Sequence, residues 1–243
     1  VIQGIWVSMI ALAAYFALIY LIKKYPKSKA VCIVMVGVLA VELFANSADT
    51  IDKIDTDVAY SKYTSYEPYM TQTRNAVSMM KEYDPSLFYR MEATFHRTVN
   101  DPIGTGYKGI SHSSSTMNAP ALMMLHKLGY AYGGHYTKYD GTTFMTDALF
   151  DIKYLMDKTG NTSFVGTRVK VPEEYKLTTE YTEGDATYKF YNNPNALGLG
   201  MVSSPSIENV SLSEDNPFEN QNMVFNALAG TTKEYFTKIP VIN

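Results

Sequence analysis

The sequence predicts an α+β protein in which two transmembrane helices form a hairpin and a mixed α/β domain follows on the outer side of the membrane. Three observations predict it: two apolar runs at the N-terminus, a lysine-rich spacer between them, and a long polar remainder whose helical and strand-like patterns lack a repeating βαβ order. The first run, Val1 to Ile22, has 22 residues and no charge. At about 1.5 Å per residue it covers the roughly 30 Å of a bilayer core. The second run, Ala30 to Ala45, reaches a full span near Asp49 when about 20 residues are counted from Lys29. The spacer, residues 23–29, holds four lysines and no acid, which marks the cytoplasmic side and places the remainder outside. The expected organisation is therefore a transmembrane unit over residues 1–46, with spans at 1–22 and 30–49, and an extracytoplasmic domain over 47–243. A secretory signal peptide would open on a basic segment and a shorter apolar core. The chain instead starts in apolar sequence without Met, and reads as a piece of a longer protein whose exterior domain is incomplete.

Charge narrows the function classes. Residues 1–46 carry four lysines against Glu42 alone, a surplus of three, so the whole-chain net charge of −3 leaves −6 for residues 47–243. An acidic exterior excludes nucleic acid as the expected partner, because phosphate binding needs a basic stripe. It also gives no sign of a polybasic lipid-binding surface. The one cysteine, Cys32, lies in the second apolar run, so the exterior domain has no disulfide and must be held by its own core. Its many Tyr and Phe residues fit ordinary core and interface packing first and sugar-stacking platforms second, and composition alone does not separate the two.

Glu42, Asn46, Asp49 and Lys53 follow the spacing i, i+4, i+7, i+11 and share one helical face. A lipid-facing acid at a helix centre costs about 2.5–3.5 kcal/mol on insertion scales. Either the helix is shifted or tilted so that Glu42 snorkels to the interface, or further helices complete a polar, outward-opening pocket around it. Both readings ask for partners that the fragment lacks.

Ser47 to Glu67 is polar, with Tyr60, Tyr63, Tyr66 and Tyr69 at every third position, a pattern suited to the membrane–water interface or to packing on the domain. Pro68 suits a first helical turn, and Tyr69, Thr73, Ala76, Met80 and Tyr83 continue one face until Asp84-Pro85. Leu87 to Phe95 reads as a strand with Arg90, Glu92 and Thr94 on one side, where Arg90 and Glu92 are either a simple surface pair or part of a polar set leading toward the next loop. Ile103 to Thr116 is a Gly- and Ser-rich loop, and Asn118-Ala119-Pro120 opens a buried helix to Leu128, closed by Gly129. Thr142 to Asp147 supplies capping chemistry for a short helix around Ala148 to Phe150, followed by a strand over Ile152 to Met156. Gly160 to Gly166 is a turn-rich connection. Tyr175–Thr182 and Ala186–Asn192 flank Glu183-Gly184-Asp185 as a hairpin. Pro205 to Glu214 is irregular, and Pro217 to Phe236 has helical spacing.

The four histidines are scattered without metal-ligand spacing, so no metal site is expected, and no nucleophile elbow or Walker loop occurs. The densest polar cluster is Gly109-Ile110-Ser111-His112-Ser113-Ser114-Ser115-Thr116-Met117-Asn118, entering the helix at Pro120. Backbone N–H groups at a helix start, with hydroxyls and an imidazole beside them, suit an anionic or polyol group. Helix capping and loop hydrogen bonding explain the same residues. Tyr89, Arg90, Glu92, His96 and Asn100 form a second polar set leading toward this loop.

At these residues the chain resembles the YfhO family of bacterial multi-pass membrane proteins. The matching features are Val41-Glu42-Leu43-Phe44-Ala45-Asn46, Phe88-Tyr89-Arg90-Met91-Glu92, the segment Gly109 to Asn118, and Leu149-Phe150-Asp151-Ile152-Lys153-Tyr154-Leu155-Met156, in order over roughly residues 30 to 200. The resemblance implies a C-type glycosyltransferase-like protein of the bacterial cell membrane. Such a protein takes a polyprenyl-phosphate-linked sugar as donor, uses no other cofactor, and adds the sugar to an envelope polymer such as lipoteichoic acid. Lipid bilayer, lipid-linked sugar and polymer are the implied partners, and the need for a divalent ion stays open. The family's catalytic acid is expected in a first exterior loop near the true N-terminus, outside this sequence. The catalytic residues are thus unknown here, and Glu42, Asn46, Arg90, Ser111, His112 and Asn118 are the candidate supporting or substrate-binding residues. A non-catalytic exterior binding or scaffolding module is the competing class.

Overall fold

The computed structural model describes residues 2–57, 62–160, 169–213 and 216–239. The chain divides into two compact units, Val1–Lys62 and Tyr63–Asn243. The class is mixed α+β, and one described helix, over Lys29–Ile54, is long and apolar enough to cross a membrane.

In the first unit, α1 (Ile2–Lys24) is joined through Tyr25 to Ser28 to α2 (Lys29–Asp57). No Gly or Pro interrupts α2 after Ala45, so the helix runs on through Ser47 to Asp57. The polar stripe is present on it, with Lys53 and Asp49 paired at 2.7 Å.

The second unit is built on a four-stranded sheet in the order β1-β5-β7-β6. Its strands are β1 (Arg90–Ala93), β5 (Ile152–Gly160), β6 (Lys176–Glu183) and β7 (Ala186–Asn192). The pair β1–β5 is parallel, and β5–β7 and β6–β7 are antiparallel. The β6–β7 hairpin turns on Gly184-Asp185 with φ of 62° at Gly184, a conformation that favours glycine.

Helix α3 (Tyr63–Tyr83) covers one face of this sheet. Tyr69, Thr73, Ala76, Val77 and Met80 recur at helical spacing and are buried, packing with Met91, Ala93, Phe95, Tyr154, Met156, Tyr188 and Phe190. The helix starts at Tyr63, so Pro68 lies inside it and not in the first turn. The backbone near Pro68 is bonded from outside the helix, Arg97 donating to the Ser65 carbonyl at 3.0 Å.

The opposite face carries a second core of Tyr130, Tyr139, Ile152, Leu155 and Tyr175. Here the segment expected as a plain loop contains α4 (Asp101–Thr105) and β2 (His112–Ser113). Strand β2 joins β3 (Ala131–Gly133) and β4 (Tyr136–Lys138) in a small sheet of order β2-β4-β3. Helix α5 (Ala119–Lys127) begins at Asn118 and Pro120 as expected, but only Leu122 is buried, so it is a half-exposed covering helix. Helix α6 (Phe144–Leu149) starts four residues earlier than expected, because Thr143 and Thr146 form a reciprocal capping box. A 3-10 turn spans Pro205–Asn209, and α7 (Pro217–Ala229) ends at Gly230. Tyr60 and the connection after Gly160 lie outside the described residues.

Candidate functional site

Strand β1 is covered on both faces, and this decides the role of Glu92. Met91 and Ala93 point at α3, so Glu92 points into the second core and is 1 % exposed. Its Oε1 accepts the backbone N–H of Ser111 at 2.9 Å and that of Ile110, and Ser111 Oγ lies 3.4 Å from Oε2. The loop closes on the carboxylate so tightly that a Cβ at Gly109 would stand 2.6 Å from Oε1 and 2.9 Å from Pro102 Cγ. Burial pushes the Glu92 carboxyl up to about 7, against the opposing pull of the backbone donors.

Ser111 links this carboxylate to a second one. Its Oγ accepts the Tyr139 N–H at 2.9 Å, and the Tyr139 and Tyr175 hydroxyls donate to Asp147 Oδ2 at 2.8 and 2.7 Å. Asp147 is 1 % exposed, and burial raises it to about 6, again against its two tyrosine donors. Asp147 Oδ1 and the Tyr130 hydroxyl are buried without a hydrogen-bond partner. The result is a continuous polar path, Glu92–Ser111–Tyr139–Asp147–Tyr175, through the second core.

His112 sits beside this path on β2, directly opposite Thr137 of β4. His112 Nδ1 and Thr137 Oγ1 are both buried and unpartnered. Cross-strand neighbours of this kind stand about 4.5–5.5 Å apart at Cβ, so one acceptor or donor group can serve both. The Asn100 side chain brackets Ser113, accepting its N–H at 2.8 Å and donating to its carbonyl at 3.1 Å, which fixes the strand carrying His112.

The six candidate residues fall into four places. Ser111 and His112 belong to the network just described. Asn118 caps α5, its Oδ1 accepting the Ala121 N–H at 3.0 Å, and among the described residues no hydrogen bond joins it to Ser111 or His112. Arg90 does not pair with Glu92. Its guanidinium donates to the Phe150 carbonyl at 2.8 Å and its N–H to the Asp151 carbonyl at 3.0 Å. It thus braces the turn where Asp151 holds a φ of 54°. The surface pair expected from alternation fails because β1 has no solvated face. Glu42 and Asn46 lie in the first unit, where Tyr15 of α1 donates its hydroxyl to Glu42 and the Asn46 carbonyl accepts from Thr50 at 2.8 Å. A partner for Glu42 therefore comes from within the chain.

Sequence reasoning does not reach Asp147, Tyr139, Tyr175 and Thr137. The available signal is an acid inside the run Phe144 to Phe150, whose other residues apart from Thr146 are apolar. A separate cavity of about 460 Å³ is lined by residues that include Phe144, Ala148, Pro194, Leu197, Phe225 and Tyr235. Among the described residues no group of three or more His, Cys, Asp or Glu side chains is placed to hold a metal ion.

The family model of the bacterial membrane protein YfhO matches residues 2–243. The chain belongs to the YfhO family. The match covers both units, so the apolar helix and the second unit are parts of one bacterial membrane protein family. No curated protein and no solved structure matches the chain.

Proposed function

We propose that this YfhO-family chain is part of a multi-pass, glycosyltransferase-like protein of the bacterial cell membrane. In this reading α1 and α2 form a transmembrane hairpin with the residue 23–29 turn in the cytoplasm, and the second unit works outside. The donor is a polyprenyl-phosphate-linked sugar and the acceptor a hydroxyl of an envelope polymer such as lipoteichoic acid. The acceptor oxygen attacks the anomeric carbon, the bond to phosphate breaks, the acceptor proton passes to a carboxylate, and the phosphate leaves on the polyprenyl carrier. The carboxylate that takes the proton is assigned to a part of the protein outside this sequence.

The role of the second unit is to bind and orient. The observation that carries this is the unpartnered pair His112 Nδ1 and Thr137 Oγ1, held next to the loop that Glu92 fixes. Buried polar atoms are ordinarily paired, and a sugar hydroxyl or phosphate oxygen is chemistry that satisfies such a pair once the groups that now exclude solvent from both atoms move aside. Asn118 contributes an exposed amide nitrogen beyond its capping bond, and Glu42 and Asn46 have a supporting role within the membrane.

The test is sugar transfer by the complete protein from a defined lipid-linked donor. His112→Ala should lower transfer roughly tenfold, the scale of one lost hydrogen bond in the transition state, at unchanged abundance, with Ser111→Ala and Asn118→Ala also reduced. Normal transfer in all three variants would sink the binding role. The second reading, a non-catalytic scaffold, draws on the fact that Glu92 and Asp147 are spent on internal hydrogen bonds. A scaffold tolerates removal of the acid in the first exterior loop of the full protein, whereas a transferase loses sugar addition.

A further inference from the structure

The second unit is acidic as a whole, yet one strip of it is basic and apolar together. Residues Ile103 to Lys108 run along the last turns of α3, and three cations meet that stretch. Arg74 Nε donates to the Gly104 carbonyl at 2.9 Å and Lys81 Nζ to the Gly106 carbonyl at 2.6 Å. Lys108 Nζ donates to the Leu87 carbonyl and stands 5.9 Å from the Phe88 ring centroid. Beside these cations project three large apolar side chains: Leu87 is 70 % exposed, Phe88 76 % and Ile103 65 %.

The strip is not neutralised. The acids next to it in sequence are Glu82 and Asp84, and Asp84 is already held by Lys153 at 2.6 Å. Glu67 lies two helical turns before Arg74 and accepts from Thr71 at 2.9 Å. Net charge on the strip is therefore positive within a unit whose sequence, residues 63–243, carries −4.

Local structure accounts for both features. Asp84-Pro85 stops α3, and β1 begins only at Arg90, so Leu87 and Phe88 lie on a tip with no strand partner and no core to enter. Ile103 sits on the outer side of α4, whose Asp101, Pro102 and Thr105 take the buried positions. Neither location reflects packing against the rest of the unit.

We propose that this strip is a membrane-contact surface: Arg74, Lys81 and Lys108 engage anionic lipid headgroups while Leu87, Phe88 and Ile103 enter the interface between headgroups and acyl chains. Charge complementarity selects the occupant. A cationic patch inside an acidic unit attracts an anionic surface, and exposed aromatic and aliphatic side chains flanked by lysine match an interface that is polar outside and apolar within. A bilayer is also held at high effective concentration, because the same chain carries a helix able to cross one. Each cation near such a surface shifts the docked-to-undocked ratio roughly fivefold, and the attraction weakens as salt shortens the screening length.

Fluorescence of the intact chain in proteoliposomes tests this. Trp6 is the single tryptophan, so a chain carrying Trp6→Phe and Phe88→Trp reports from the tip alone. In vesicles containing phosphatidylglycerol, emission of the introduced indole should be quenched by lipids brominated in the acyl chain and shielded from aqueous acrylamide. In pure phosphatidylcholine both effects should be weaker. Lys81→Gln and Lys108→Gln should each lower the docked ratio roughly fivefold. High salt should do the same with every lysine in place, a control independent of whether the variants fold. The proposal is overturned if bromolipid quenching is absent with phosphatidylglycerol or equal in both lipids. Shielding that grows with protein density instead would assign the strip to a second copy of the chain. Shielding produced by a soluble polyglycerol phosphate without bromolipid quenching would assign it to a polyanion. Either outcome overturns the membrane contact.

Discussion

Replacing Glu92 by Gln isolates the charge of the buried carboxyl while keeping its shape. Gln retains an acceptor for the Ile110 and Ser111 N–H groups, and its amide nitrogen takes the position 3.4 Å from Ser111 Oγ. The rise from an ordinary 4.5 to about 7 in the folded protein corresponds to roughly 3 kcal/mol. The unfolded chain releases this proton near 4.5 while the folded chain holds it to about 7, so the folded state binds more protons in that window. Stability due to Glu92 is then full below the unfolded value, declines as pH rises toward 7, and is level above it. Asp147 acts in the same direction, with its upper limit at about 6. His96, whose pKa burial lowers, acts in the opposite direction, so the wild-type curve alone is ambiguous and the difference from the Gln variant is decisive. At Asp84 the effect of burial is outweighed by bonds from Lys153, Ser86 and Tyr154, which hold the carboxyl below the ordinary carboxylate range, so it contributes only under more acidic conditions.

The assay is urea unfolding of the reconstituted chain, followed by tyrosine near-ultraviolet circular dichroism. With a urea slope of about 2 kcal/mol per molar, the wild-type midpoint should fall by roughly 1–2 M more than that of the Gln variant between about pH 5 and about pH 8. Parallel midpoint curves for the two proteins would refute the reasoning, because they would mean that Glu92 titrates alike in the folded and unfolded states.

Two further substitutions probe the same region. Gly109→Ala drives a methyl group against Glu92 Oε1 and Pro102, and overpacking of this kind should lower the urea-derived stability by about 1–3 kcal/mol. Asn118→Ala removes the cap of α5 and should lower stability by about 1 kcal/mol. Faster hydrogen exchange should then appear at Ala121 while exchange at Ser111 stays unchanged.

How much is legible in the sequence follows from how local each signal is. Helix α5 announces itself through Asn118, Pro120 and Gly129, and the β6–β7 hairpin through Glu183-Gly184-Asp185, because caps and turns are settled within a few residues. The stretch from Leu87 to Phe95 is readable only in part. Its composition says strand, but pairing begins at Arg90, where β5 arrives from far along the chain. Strands β3 and β4 have three residues each and no periodicity to detect. The candidate site shows the same division. Ser111 and His112 stand out by local composition, whereas Glu92 looks like a surface charge because alternation cannot reveal that a second layer covers the other face. Asp147 and Thr137 reach the site only through that layer. Gly109 is visible as a loop residue, but its reason, the carboxylate behind it, lies 17 positions earlier in the chain.

The parallel pairing of β1 with β5, Arg90 opposite Ile152, carries a consequence for the order of events during synthesis. About 60 residues separate partners that end up side by side, and at ~5–20 residues per second the ribosome needs roughly 3–12 seconds to supply the second after the first. During that interval Glu92 has no sheet around it and titrates as an ordinary carboxylate, and the loop that it later holds has nothing to close upon. The Glu92-held loop of the nascent chain thus stays unmade until a distant strand arrives, so its assembly is a late, all-at-once step that a stalled or truncated translation product cannot reach.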